Sequence, residues 1–240
     1  MKQKTQAIIL NTAKYGENKL IINSYTREYG RMGFIVSAIA AKKASPLPYC
    51  QPLFQNEVEF NYNPTRDLQQ AKSLSPAYAY LSIPYKTAKS SIAFFIAEVL
   101  RKTLVFTEKN IGLYDFISAS LKMLDIPEIK GTNFHLKFLM TLSKYLGFYP
   151  ANRYSQTTPY FDIEKSKFTD NGHNTHFIIS PPYSQMFDQL LDNEFTPCEN
   201  LKITGNDRSF LLNKIIDYYK YRFENINTIN SLDVLQMVFH

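Results

Sequence analysis

The spacing of apolar residues changes near residue 80, and this change constrains the fold more than any other feature of the chain. Before residue 80, apolar residues such as Phe34 and Val36 take alternate positions in short runs, a period of two that is typical of β-strands. After it, residues such as Ile92, Phe95 and Val99 recur at the spacing of a helix. The sequence therefore predicts an α+β protein with two domains.

The first domain, residues 1–80, contains five short apolar runs separated by turn signals. The predicted strands are Thr5–Leu10, Lys19–Thr26, Met32–Ile39, Leu53–Tyr62 and Leu68–Leu74. Five strands in about 75 residues are the number found in an OB-fold β-barrel, an architecture that often binds oligonucleotides. The same strands would also suit an SH3-like barrel, so their number alone does not choose between the two.

The second domain, residues 81–240, is predicted to be helical. Three amphipathic helices come first, and Asn110 and Asp125 fit the start and the end of the middle one. A loop-rich insert near 148–182 follows, rich in proline and polar residues. Further helices are expected near Tyr183–Leu191, Asp207–Phe223 and Leu232–Phe239.

The two predicted domains differ in charge. Residues 1–80 contain 10 Lys and Arg against 5 Asp and Glu, whereas the remaining 160 residues contain 17 against 16. Almost the whole net charge of +6 therefore belongs to the first domain. Such an asymmetry is expected if that domain contacts a polyanion, although a surplus of this size also occurs for solubility alone.

Composition and segment lengths exclude several classes of protein. The chain has no apolar run near the 18 residues that a membrane span needs, and its first residues do not have the pattern of a secretory signal. The two cysteines, Cys50 and Cys198, are far apart and form no paired cluster, which favours reduced, structural thiols. A cytoplasmic protein is expected.

Motifs for catalysis are absent from the sequence. There is no phosphate-binding Gly-rich loop and no His-Glu-x-x-His motif. Asp162 and Glu164 are best interpreted as parts of a solvated turn, and His173 and His176 occur in a Gly/Asn/Asp loop without other candidate ligands nearby. Cys50 has no neighbouring base in sequence that would lower the pKa of its thiol. The sequence therefore predicts no enzyme activity, no metal site and no cofactor.

Three consecutive motifs near the N terminus resemble the opening of the RecO family of bacterial recombination mediators. They are Tyr15-Gly16-Glu17, Lys19-Leu20-Ile21-Ile22 and Thr26-Arg27-Glu28-Tyr29-Gly30-Arg31. The resemblance implies an N-terminal OB barrel with a small-small-Lys-Lys loop after the third strand. Ala40-Ala41-Lys42-Lys43 occupies the corresponding place.

The second domain is also similar to this family, with one departure. Leu142–Pro150 resembles the family's helix end before a zinc ribbon, and Arg208 with Ser231-Leu232-Asp233-Val234-Leu235 resembles its C-terminal helices. Many members carry two Cys-x-x-Cys pairs near this region, but the segments 152–157 and 161–164 contain no cysteine here. Because cysteine thiolates supply both the negative charge and the tetrahedral coordination of such a zinc site, no bound zinc is expected.

The resemblance implies a function in DNA repair and homologous recombination without catalysis. A member of the family would bind single- and double-stranded DNA, anneal complementary strands, and act with RecR and RecF to load RecA. Its helical domain would contact the acidic C-terminal tail of the single-stranded-DNA-binding protein, and the protein would be cytoplasmic and associated with the nucleoid.

The candidate DNA-binding residues are cations that can contact phosphates and tyrosines on which bases can stack. They are Lys14, Lys19, Arg27, Arg31, Lys42, Lys43 and Arg66, with Tyr15 and Tyr49. Lys72, Tyr25, Tyr29 and Tyr62 belong to a wider set, whereas Phe34 is expected in the barrel core because it alternates with other apolar residues. Lys42 and Lys43 are the strongest candidates, since their loop gives them no competing role in packing.

Two other classes of function make different demands on the sequence. The first is a protein-interaction adaptor with an SH3-like barrel, in which the basic residues form only a solvated surface. The second is a nuclease or hydrolase, which would need a convergent acidic or histidine cluster that the sequence does not show. Salt-dependent binding of oligonucleotides separates the adaptor from a DNA-binding protein, and metal-dependent turnover would indicate the enzyme.

Overall fold

The computed structural model describes residues 2–38, 46–105, 108–173, 177–191 and 200–239. Its N-terminal part is a closed barrel in which the strands follow the order β1-β2-β3-β5-β4. The strands are β1 (Lys2–Lys14), β2 (Lys19–Thr26), β3 (Gly30–Ser37), β4 (Gln55–Asn61) and β5 (Leu68–Pro76). A short 3-10 helix, Leu47–Tyr49, precedes β4. The prediction of a five-stranded barrel before a helical region is confirmed.

The barrel closes through one parallel pair of strands. β3 and β5 are parallel, whereas the other neighbouring strands are antiparallel. This is the Greek-key arrangement of the OB fold. At the parallel pair, a Cβ atom on Gly33 would come within 2.4 Å of Cδ2 of Leu68. Glycine at this position therefore leaves room for the Leu68 side chain, which would otherwise have to shift.

Strand β1 is buried on both of its faces, which explains its four consecutive apolar residues. Ala7 and Ile9 point into the barrel core with Phe34 and Phe60. Ile8 and Leu10 take the alternate positions and belong to the core of the helical region. Because alternate side chains of a strand point to opposite sides, β1 joins two hydrophobic cores.

The rest of the chain contains six α-helices within the described residues. They are α1 (Thr87–Thr103), α2 (Ile111–Asp125), α3 (Phe134–Tyr145), α4 (Tyr183–Gln189), α5 (Gly205–Lys220) and α6 (Ser231–Phe239). The predicted start of α2 is confirmed, because the side chain of Asn110 accepts a hydrogen bond from the N–H of Leu113 at 2.9 Å. None of the helices in the described ranges is both long and apolar enough to cross a membrane.

The buried carboxylate of Asp125 fixes the connection between barrel and helices. Its oxygens accept hydrogen bonds from the backbone N–H groups of Leu81, Ser82 and Ile83 at 2.7 to 2.8 Å. The ammonium of Lys89, also buried, donates to the Ser82 hydroxyl at 2.8 Å. Such a satisfied polar network holds the linker against the end of α2.

A small three-stranded sheet occupies the region that the sequence predicted as an irregular insert. Its strands are β6 (Tyr160–Asp162), β7 (Lys167–Thr169) and β8 (Ile178–Ile179), in the order β7-β6-β8. Strands of two or three residues are too short to produce a period-two signal, which explains why the sequence did not reveal them. Aromatic side chains cover the sheet: Phe161 lies 5.0 Å from Phe168 and 4.4 Å from Phe187 between ring centroids.

Candidate nucleic-acid interface

Three neighbouring strands of the barrel, β2, β3 and β5, contain no acidic residue. Leu20, Ile22, Phe34 and Val36 fill the barrel core, so the alternate side chains of β2 and β3 point outward. With Gln70, which lies opposite Ile35 in the register, these residues form a surface that we call the acid-free face. It consists of Lys19, Ile21, Asn23, Ile35, Ser37 and Gln70.

The acidic residues of the barrel strands all belong to β4, which pairs with β1 on one edge and with β5 on the other. Glu59 on β4 pairs with Lys2 at 2.8 Å, and Glu57 pairs with Lys4 at 2.7 Å. Lys2 lowers the pKa of the Glu59 carboxyl group through a hydrogen bond and charge attraction. The β1–β4 side therefore neutralises its own charges, while the acid-free face does not.

The loop between β1 and β2 presents three of the predicted residues at one end of the barrel. Gly16 has a φ of 68°, a conformation that favours glycine, and the N–H of Tyr15 donates to the carbonyl of Lys19 at 2.9 Å. This tight hairpin leaves Lys14 and Lys19 exposed, and the ring of Tyr15 is 48% exposed. Two cations and one flat aromatic ring thus project together from the loop.

The loop between β4 and β5 positions Arg66 at the opposite end. The buried Gln69 side chain donates to the carbonyls of Asn63 and Arg66 at 2.9 and 2.6 Å and accepts from the N–H of Asn63 at 2.8 Å. Backbone atoms of the loop are therefore fixed, while the Arg66 side chain stays exposed. Tyr62, which is 42% exposed, stacks on Tyr29 at 5.7 Å and adds an aromatic surface near this loop.

Four exposed cations on or beside the acid-free face have no counter-ion among the described residues. They are Lys14, Lys19, Arg66 and Lys72, and none forms an ion pair with any residue in the described part of the chain. Two acids, Glu17 and Asp67, belong to the two end loops, outside the strands. A surface with a surplus of unpaired cations attracts a polyanion and exchanges its counterions on binding.

Two other predicted residues, Arg27 and Arg31, lie between the barrel and the helices. Arg27 forms a bidentate pair with Asp115 of α2, with Nε–Oδ1 and Nη2–Oδ2 distances of 2.8 and 3.1 Å. Arg31 donates from Nη1 to the carbonyl oxygens of Arg101 and Leu104. These protein partners compete with the predicted contact between either guanidinium and a phosphate.

The predicted aromatic residues also differ in accessibility. Tyr49 is only half-buried, and its carbonyl accepts a hydrogen bond from the Asn56 side chain at 2.8 Å. Tyr25 is fully buried between barrel and helices, so its ring offers no surface to a base. Phe34 lies in the barrel core, as its alternation with apolar neighbours predicted.

The predicted pair Lys42 and Lys43 lies outside the described residues, as do His176 and Cys198. The residue that precedes the undescribed segment 39–45 is close to the β1–β2 loop, because the N–H of Ala38 donates to the carbonyl of Asn18 at 2.9 Å. In the register of the sheet, Ser37 lies opposite Lys19. The chain therefore enters the Lys42–Lys43 segment at the end of the barrel that presents Lys14 and Tyr15.

The sequence did not identify the acid-free face itself. Its signal was available, because the sequences of β1, β2, β3 and β5 contain no Asp or Glu, whereas that of β4 contains Glu57 and Glu59. Which strands become neighbours depends on barrel closure, however, and short-range patterns do not show this. The strand order makes the absence of acids a property of one continuous surface.

Side chains suited to catalysis do not converge in the described ranges. No group of three or more His, Cys, Asp and Glu side chains is placed to hold a metal ion there. Burial raises the pKa of the Cys50 thiol to about 11, which disfavours the reactive thiolate. The Asp162 carboxylate accepts the N–H of Lys165 at 2.9 Å within a turn, whereas Glu164 accepts the hydroxyl of Tyr221.

Comparison with known proteins gives consistent matches over both parts of the chain. Residues 1–80 match the family model "Recombination protein O N terminal", and residues 86–228 match "Recombination protein O C terminal". The chain is 34% identical to DNA repair protein RecO of Bacteroides fragilis over 244 residues, and 31% identical to proteins of the same name from Phocaeicola vulgatus and Flavobacterium psychrophilum. In each case the match covers 100% of both chains.

Proposed function

Because the chain belongs to the RecO family of DNA repair proteins, we propose that it is a non-enzymatic recombination mediator that binds single- and double-stranded DNA through its barrel. The observation that carries this proposal is the acid-free face, with unpaired cations at both of its ends. Lys14, Lys19 and Arg66 would contact phosphates, and Tyr15 would stack on a base.

Annealing follows from the same charge distribution. Two complementary strands repel each other through their phosphates, and a cationic surface lowers this repulsion while the bases pair. Because contact with phosphates releases condensed counterions, both binding and annealing should weaken as salt increases. Between the cations the face presents short uncharged side chains such as Ile21 and Asn23, and contacts with phosphates carry no sequence information, so binding should depend little on base sequence.

The family also supports a set of protein partners for the helical domain. We include RecR, RecF and the C-terminal tail of the single-stranded-DNA-binding protein in the proposal, with RecA as the protein that is finally loaded. The helical region of residues 81–240 has a formal charge of only +1, which suits contacts with proteins better than contacts with DNA. An acidic tail with an apolar end would bind between amphipathic helices.

Titration of a fluorescent single strand at several salt concentrations tests the DNA-binding proposal. Replacing Lys14 and Lys19 by Gln should weaken binding for any base sequence and reduce the slope of log K against log salt by about 1 to 2 units. The matched control replaces Lys2 and Lys4 by Gln, which removes the same charge from the β1–β4 side and should change the slope much less. Equal effects of the two double substitutions would place the DNA path elsewhere.

A peptide with the sequence of the C-terminal tail of the single-stranded-DNA-binding protein tests whether the two domains bind different ligands. The intact chain should bind this peptide, and the variant with Lys14 and Lys19 replaced should bind it with unchanged affinity, because the two ligands use different surfaces. Loss of peptide binding together with DNA binding would show one shared basic site and would contradict the proposal.

A further inference from the structure

A second cationic site lies in the helical region, away from the barrel. A cavity of about 580 Å³ opens where α3 and α5 begin. Of the nine lining residues in the described ranges, seven are polar, three are cationic and none is acidic. The lining includes Lys130, Thr132, Asn133, Lys202, Thr204 and Arg208. A concave surface of this composition is suited to an anion.

Arg208 places a positive charge in the wall of this cavity. Its side chain is only 8% exposed, and its guanidinium donates to Asn133 Oδ1 and to the carbonyl of Ile203, both at 3.0 Å, and to the carbonyl of Phe239 at 3.2 Å. All three acceptors are neutral, so these bonds orient the guanidinium without cancelling its charge. Burial without a carboxylate partner lowers the pKa of Arg208.

The two helices reinforce the cationic side chains. α3 begins directly after Asn133, and α5 begins directly after Thr204, whose hydroxyl accepts the N–H of Asp207 at 3.2 Å and donates to the Asp207 carboxylate at 2.6 Å. The N-terminal end of a helix carries a partial positive charge. The N-terminal ends of two helices therefore lie at the same cavity as Lys130 and Lys202.

We propose that this cavity binds the terminal phosphate of a nucleic-acid strand. A phosphate monoester carries about −1.5 to −2 charges at neutral pH, compared with about −1 for a phosphate within the backbone, and so is attracted more strongly to a cationic lining. It is also attached through a single bond and can enter a concave site that a continuous backbone cannot enter. This inference rests on the proposed function in one respect, which is that the DNA bound by the protein supplies the terminal phosphate.

An acidic peptide fits the cavity less well. A peptide with an apolar end needs a hydrophobic pocket beside its carboxylate. Here Leu201 and Ile203 are the two apolar lining residues, and Ile203 is 7% exposed. The polar lining therefore favours a phosphate over an apolar side chain.

Binding of one short oligodeoxynucleotide in three forms tests the proposal. The forms carry a 5′-phosphate, a 3′-phosphate or only hydroxyl ends. At least one phosphorylated form should bind the full chain about tenfold more tightly than the hydroxyl form. Backbone amide resonances of residues 132–135 and 203–207 should shift on saturation, and a free mononucleotide should compete. If the mononucleotide alone produces these shifts, without a preference among the oligonucleotides, the strand-end proposal is wrong.

Substitutions of lysines in the cavity lining test whether the preference for a phosphorylated end arises there. Replacing the exposed Lys130 and Lys202 by Gln should abolish the preference for a phosphorylated end. The matched control replaces Lys144 and Lys220, which lie in the last turns of the same two helices, and should retain it. Equal affinity for all three oligonucleotides, or equal loss in both double variants, would overturn the proposal. So would shifts of the same amides by an acidic peptide without any phosphate preference.

A failure of this second site can be distinguished from a failure of the proposed DNA binding by the barrel. Binding of a long strand with hydroxyl ends, and its salt dependence, reports on the barrel alone. If this binding persists while the phosphate preference is absent, only the second site is wrong. If long-strand binding is absent but the phosphate preference is present, the cavity remains and the barrel proposal fails.

Discussion

Arg31 on β3 contacts the C-terminal end of α1 through the carbonyl of Leu104. Its Nη1 atom donates to this oxygen at 3.0 Å and to the carbonyl oxygen of Arg101 at 3.1 Å. The last carbonyl groups of a helix have no partner within the helix and carry a partial negative charge. A barrel cation thus caps a helix of the second domain and links the two parts of the chain.

Replacing Arg31 by Ala should lower the free energy of unfolding by about 1 to 3 kcal/mol, because it removes charge-assisted hydrogen bonds to the end of α1. Urea denaturation measures the change. Replacing the exposed Lys19 by Ala is the control and should change the free energy by less than about 0.5 kcal/mol. If both substitutions had the same small effect, the contact between Arg31 and Leu104 would contribute nothing to stability.

Replacing Lys42 and Lys43 by Ala should weaken DNA binding for any sequence. Two phosphate contacts would be lost, so the slope of log K against log salt should decrease by about 1 to 2 units. The matched control replaces Lys165 and Lys167 in the β6–β7 hairpin, where we expect no DNA. An unchanged slope in the first variant would show that the 39–45 segment does not contact the phosphates.

The fold was predictable where apolar spacing is regular over a whole element. The bounds of β2 agree with the prediction, and Asn110 and Asp125 mark the start and the end of α2. β1 extends beyond the predicted Thr5–Leu10 on both sides. Its outer residues, such as Lys2 and Lys4, are polar and gain their order from cross-strand pairs with glutamates, so apolar spacing could not reveal them.

The sequence predicted which residues could form the candidate site, but it did not predict which of them share one surface. The sequence identified a basic first domain, and Lys14, Tyr15, Lys19 and Arg66 are exposed in the structure. It could not distinguish these residues from Arg27, because the partner of Arg27, Asp115, is distant in sequence. Pairing between residues of different domains depends on tertiary packing, which no local pattern encodes.

Aromatic packing should stabilise the β6–β8 sheet without a metal ion. Phe161 is fully buried against Phe168, Phe187 and Tyr218, so replacing it by Ala should cost about 3 to 5 kcal/mol. The unfolding midpoint of the unmodified protein should not change in a chelator, and elemental analysis should find no stoichiometric zinc. About one zinc per chain, or a lower midpoint in chelator, would contradict this expectation.

His135 should make the protein less stable in mild acid. Its side chain is buried beside Phe95 and Phe239, and burial, with the nearby charge of Arg208, lowers its pKa from 6.5 to about 3. Between these values the unfolded chain binds a proton that the folded chain does not. The contribution of His135 to stability is therefore fully present above about pH 6.5 and is lost, by up to about 1.4 kcal/mol per pH unit, as the pH falls toward 3.

Urea denaturation at a series of pH values measures this dependence. Replacing His135 by Leu removes the titrating group, so the loss of stability between about pH 6.5 and pH 4.5 should be smaller by roughly 2 to 3 kcal/mol than in the unmodified protein. The control replaces Phe95, a non-titrating neighbour of His135, by Leu and should leave the pH dependence unchanged. Because the comparison uses the change with pH, any constant cost of the His135 substitution cancels. The same pH dependence with and without His135 would show that this residue is protonated equally in the folded and unfolded chains.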